Sequence, residues 1–134
     1  MRQAVLVLAA VLASAEPTAE VFDLFREAAE ALANGDSGAF LAKFDPSMPG
    51  YATLREEIVG LVAAHDAAST IDVISEDGDG QKRSLELDWT LAISERNSDS
   101  GKRETRRGVL RCRVERRGRQ WRIVALDPVD FFRY

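Results

Sequence analysis

One cysteine and one histidine among 134 residues leave thiol, metal and imidazole chemistry little to work with. Cys112 has no second cysteine inside the chain, so an intramolecular disulfide is excluded. Arg111 and Arg113 flank it, but strand alternation points both to the opposite face, so Cys112 reads as a small core residue. A net charge of −4 excludes general nucleic-acid or anionic-membrane binding by the chain as a whole. Beyond the first fifteen residues no apolar run approaches membrane length. No repeat and no Pro/Gly-rich linker breaks the chain, and its length suits one domain.

What is present begins with a targeting pattern. Arg2 supplies a positive start, Ala4 to Leu12 is uninterruptedly apolar, and Ala13-Ser14-Ala15 offers a small-x-small cleavage site ahead of Glu16-Pro17. The expectation is a signal peptide over 1–15 and one domain over 16–134. Localisation is then periplasmic or extracellular, with no membrane span in the mature chain.

Helical periodicity follows. Val21, Phe25, Ala28 and Leu32 share one stripe of a helix expected from a Thr18 cap to Asn34-Gly35. Asp36 or Ser37 caps a short helix carrying Phe40, Leu41 and Phe44, stopped by Asp45-Pro46. Thr53 with Glu56 reads as a capping box for a third helix, whose stripe of Leu54, Ile58 and Leu61 continues to His65.

From Ala68 the period changes to two. A strand over about 69–76 offers Ile71 and Val73 to one face. The next, 83–94, turns Leu85, Leu87, Trp89, Leu91 and Ile93 inward and Glu86 and Asp88 outward. A polar loop at 97–101 leads to a strand over about 105–116 with Leu110, Cys112 and Val114 inward. Gly118-Arg119 turns the chain into a last strand, 120–127, carrying Trp121, Ile123 and Ala125. Phe131, Phe132 and Tyr134 end it as an aromatic tail. A loop centred near Asp99 sets Asp88 against Arg111 and Glu86 against Arg113, with Glu115 against Arg122 across the tight turn. Those pairs make the arginine-rich hairpin a charge-laced outer face rather than a nucleic-acid surface. The fold class is α+β: three N-terminal helices packed in a curved four-strand antiparallel sheet.

That order of elements, the Ala33-Asn34-Gly35-Asp36 helix junction and the closing Gly118-Arg119-Gln120-Trp121-Arg122-Ile123-Val124 strand resemble the nuclear transport factor 2-like (SnoaL-like) superfamily. The resemblance implies a cone-like barrel whose mouth often binds a small hydrophobic molecule, and sheets that often pair. It also covers isomerases, dehydratases and hydrolases, so the fold alone does not fix the function. Members often carry a short strand between the second and third helices, where this chain has only Asp45-Pro46-Ser47-Met48-Pro49-Gly50.

Residues expected to line a ligand pocket are Phe25, Phe44 and Tyr51 from the helices and Leu87, Trp89, Leu110, Trp121 and Ile123 from the strands, with Phe131 from the tail. Proton carriers are scarce among them, and the rim supplies the alternatives. His65 with Asp66 suits a base and its orienter. The resemblance places Asp45 roughly where the ketosteroid-isomerase branch keeps its proton-shuttling acid. Each has a plain structural reading beside it, a histidine at a helix end and an Asp-Pro stop. The segment Ser75 to Glu86 nearly matches a calcium-binding loop, but Ser75 replaces its first aspartate and strands flank it, so a hairpin turn is expected. No metal and no cofactor are expected. The leading functional reading is an exported, non-catalytic module binding a small hydrophobic molecule, pairing with itself, or both. The alternative is an enzyme using His65, Asp66 or Asp45. A purely structural domain with a filled core is the third.

Overall fold

A computed structural model describes residues 2–96 and 101–134, with side chains from residue 17. The expected polar loop at 97–101 thus falls almost wholly outside the described residues. Helix α1 spans Arg2–Ala33, α2 Ser37–Leu41 and α3 Tyr51–Ala64. Strands β1 (His65–Gly78), β2 (Lys82–Glu95), β3 (Arg103–Arg117) and β4 (Gln120–Asp127) follow, and a 3-10 turn, Val129–Phe132, ends the chain. The strands form one antiparallel sheet in the order β1-β2-β3-β4. This is the expected α+β meander.

Thr18 does not start α1. The helix continues through Pro17 to Arg2, because Ala- and Leu-rich sequence propagates helix readily. Val21, Leu24, Phe25, Ala28 and Leu32 are buried as the stripe requires, and α1 crosses from β1 to β4. Arg26 bridges Asp23 and Glu30 on the wet side. Asp36 caps α2, its carboxylate accepting from the Ala39 N–H at 2.9 Å. Helix α3 is capped three residues ahead of the Thr53 capping box, at Gly50, whose φ of 79° suits glycine. Its expected stripe holds through Leu61, after which His65 turns extended and opens β1. Between α2 and α3 the chain makes one isolated parallel bridge, between Phe44 and Ile123. There Asp45 N–H donates to Ile123 O and Ile123 N–H to Lys43 O, both at 2.9 Å.

The five inward residues of β2 are each no more than 2% exposed. Leu110, Cys112, Val114, Trp121 and Ile123 complete the same face. Two corrections concern register. The β2–β3 pairing runs two residues from the expected one: Asp88 faces Val109, Glu86 faces Arg111, and Leu87 stacks on Leu110. A two-residue slip keeps every side chain on its face and changes only its neighbours. In β4 an extra residue between the partners of Arg113 and Val114 turns Leu126 inward in place of Ala125. Glu115 does face Arg122. In β1 another bulge between Val73 and Ser75 leaves Val73 open and Ile74 outward, 55% exposed.

The C-terminal turn closes the concave side. Phe131 and Phe132 are buried against Trp89, and Phe132 also meets Phe40 edge-on with ring centroids 5.5 Å apart. Phe131 can seat there because β3 has no side chain at Gly108: a Cβ on that residue would stand 3.0 Å from the Phe131 ring. Gly108→Ala is therefore expected to cost about 1–3 kcal/mol in chemical denaturation, through displacement of Phe131 rather than strain in the strand.

Candidate functional site

The inward faces of the four strands form a packed core in place of an open hollow. Of the residues expected to line a pocket, all except the half-buried Tyr51 are at most 7% exposed and belong to one contiguous cluster. Aromatic volume fills the space. Phe40, Phe44, Trp89, Phe131 and Phe132 contact one another with ring centroids 5.1–6.4 Å apart. The indole N–H groups of Trp89 and Trp121 are buried without a partner. No charged or polar residue among the described ones is fully buried. Asp72, Glu86 and Asp88 all stand on the outer face, opposite the core.

Cys112 is buried in that core, and desolvation pushes its thiol up to about 12. It is a packing residue. Native protein should not react with an aromatic disulfide reagent at pH 8, while denatured protein should react fully. Rapid native labelling would contradict this burial.

The rim candidates are spread out. The His65 ring is half-buried, lies against Tyr134 with centroids 3.9 Å apart, and its Nδ1 stands 3.3 Å from Leu61 O. Asp66 points the other way, to Arg96 Nε at 3.3 Å, so it does not orient the imidazole. Arg96 in turn donates to the carbonyls of Val62 and His65, tying the end of α3 to β2. Asp45 accepts from the Ser47 N–H at 2.9 Å and the Ser47 hydroxyl at 2.7 Å, and pairs with Arg117 at 2.9 Å. The Ser47 hydrogen bonds, with Arg117 and Arg122 nearby, hold its carboxyl below the usual range. Asp45 is thus a carboxylate that stabilises a turn. It lies far along the chain from His65, and no contact joins the two. In the β1–β2 turn, Asp79 accepts from the backbone of Gln81 and Lys82, and Glu86 accepts from Ser75, as a hairpin requires.

One acid that the apolar pattern hid stands next to the core. Glu57 precedes Ile58 on α3, and neither carboxylate oxygen has solvent or a hydrogen-bond partner. Burial, with Asp130 adding to it, raises its carboxyl above the usual range, while Arg133 and Arg106 pull the other way.

The outer face of the sheet holds the other exposed chemistry. On β1 and β2 its charged side chains are Asp66, Asp72, Asp77, Glu86 and Asp88 with one cation, Lys82; on β3 they include Arg103, Arg107, Arg111 and Arg113 with one acid, Glu115. Asp72 lies directly opposite Asp88, a like-charge pair. Arg107 Nε donates to Asp88 at 2.9 Å, which holds that carboxyl below its usual range. Arg111 and Arg113 are exposed and pair with no carboxylate among the described residues. Ile74 and Val109 stand among these charges at 55% and 51% exposure. Both were readable in the sequence as apolar residues at outward positions. The larger clefts among the described residues open on the surface too. One lies between α1 and β1, about 390 Å³, where Phe22, Phe25, Ala29, Ile71 and Val73 line it together with Asp23, Arg26 and Ser69.

No protein-family model matches the sequence, and no curated protein sequence does. Solved structures match the fold. A candidate aromatic ring hydroxylase from Novosphingobium aromaticivorans superposes with a TM-score of 0.70 at 18% identity, over 83% of this chain and 86% of that one. A candidate dehydratase of the NTF2-like family from Streptomyces avermitilis gives 0.68 at 13% identity, over 83% and 94%. An NTF2-like protein with a cystatin-like fold, also from Novosphingobium aromaticivorans, gives 0.66 at 17%, over 89% and 84%.

Proposed function

We propose that this chain, which has the nuclear transport factor 2-like fold, is an exported, non-catalytic module that pairs with a second copy through the outer face of its sheet. The observation that carries the reading is the division of that face into a mainly acidic half on β1–β2 and a mainly arginine half on β3, with only the Lys82–Glu115 pair at one end reversing the signs. A two-fold axis running along the strands between β2 and β3 lays each acidic half over the partner's arginines. One surface is then its own complement. Ile74 and Val109 leave water in the same step. The filled interior supports pairing over ligand capture. The α1–β1 groove is an apolar surface open to a small hydrophobic molecule. The neighbours named as a hydroxylase and a dehydratase share the fold, but here His65, Asp66 and Asp45 form no constellation that chemistry could use.

Sedimentation equilibrium in 0.15 M salt tests pairing, with a concentration-dependent dimer expected. Export rests on the Arg2, Ala4–Leu12 and Ala13-Ser14-Ala15 pattern. The mature N-terminus should be Glu16, and cytosolic protein retaining Met1 would contradict that part of the reading.

A further inference from the structure

Between α3 and the end of the chain lies a cleft of about 360 Å³, lined by Thr53, Glu56, Glu57, Gly60, Leu61, Arg133 and Tyr134. Its volume is within the range of small-molecule sites. Glu57 is unusual within it: both oxygens are shielded from solvent, and no N–H or O–H of the described residues donates to them. A carboxylate in that setting lacks the hydrogen bonding that water would give it. Arg133, the cation nearest by position in the cleft, is engaged with Asp130 at 3.7 Å and remains largely exposed. Tyr134 forms the other wall, its ring backed by His65 at 3.9 Å and still 54% exposed. A carboxylate without a donor and a half-open aromatic face in one cleft match the two ends of a small aromatic ammonium ion.

We propose that this cleft binds small organic cations, with the ammonium donating to Glu57 and the flat apolar part resting on Tyr134. The site lies on the helical side of the molecule and does not depend on pairing through the sheet. The side chains of Arg133 and Tyr134, both more than half exposed, form the outer wall on the segment after Phe132. The rest of that segment is fixed, because Arg106 donates to the Phe131 and Arg133 carbonyls.

Amide chemical shifts of the full chain, followed while benzylammonium chloride is added at pH 7, test the site. Benzyl alcohol, of the same shape without the charge, is the control. Saturable shifts at Gly60, Leu61 and Tyr134 are expected with the cation, with about tenfold weaker binding for the alcohol. Glu57→Gln should weaken the cation about tenfold, and Glu56→Gln should leave it within about twofold. Tyr134→Leu, at an exposed position that folding does not need, should weaken it about fivefold and gives a second reading should Glu57→Gln not fold. Equal affinity for cation and alcohol, shifts centred on the α1–β1 groove, or undiminished binding in a folded Glu57→Gln would each overturn the proposal.

Discussion

Phe132→Ala is expected to remove about 3–5 kcal/mol of stability and to lower the melting temperature by more than about 10 °C. Phe132 lies in the short 3-10 turn that follows β4. Here its ring is fully buried and meets Trp89, Phe131 and Phe40 edge-on at 5.3, 5.2 and 5.5 Å. Removing it opens a void bounded by rigid aromatic rings and β2, which cannot collapse inward without breaking sheet hydrogen bonds. Since domains of this size hold about 5–15 kcal/mol in total, a large share of the margin would go. Tyr134→Ala, two residues on and half exposed, should cost less than about 1 kcal/mol by comparison. If both changes cost little in thermal denaturation, the tail is not part of the core and the interior is open after all.

Replacing Arg111 and Arg113 together by glutamate is expected to convert the paired form to monomer, weakening association by about a hundredfold or more. Both side chains are exposed and pair with no carboxylate among the described residues, so the monomer should lose only about 1 kcal/mol, from the new glutamate set opposite Glu86. In the two-fold arrangement each reversed charge would face the partner's Asp72, Glu86 and Asp88 strip, where like charges cost most. A second variant carrying Asp72→Arg and Glu86→Arg should fail to pair with itself for the mirrored reason. Mixed in equal amounts, the two should associate. Normal pairing of the double glutamate variant, or failure of the mixture, would place the contact elsewhere.

The sequence carried most of the fold because its faces are periodic. Strand β2 reads inward-outward without error, and the helix stripes ending at Leu32 and Leu61 are those the core uses. What periodicity cannot report is an added residue. The bulges beside Val73 and within β4 left Val73 open and exchanged Ala125 for Leu126. The two-residue change in the β2–β3 register kept the faces but replaced the expected Asp88–Arg111 pair by Asp88–Arg107. His65 fitted the helical stripe by spacing alone, yet α3 ends one residue before it. The hollow was the larger misreading. An apolar face shows that something apolar covers it, but not whether that cover is a ligand or the chain's own rings. Phe40, Phe131 and Phe132 answer by filling the space. Glu57 was missed because a lone glutamate on a charged helix carries no pattern of its own.

The most direct test of an outer face that is its own complement is sedimentation equilibrium of the unmodified protein across a salt series. At 0.15 M salt the mass should rise with concentration to twice that of the chain, and association should weaken as added salt screens the arginine and acid strips. A single-chain mass at every concentration up to about 100 μM, with no response to salt, would contradict the account.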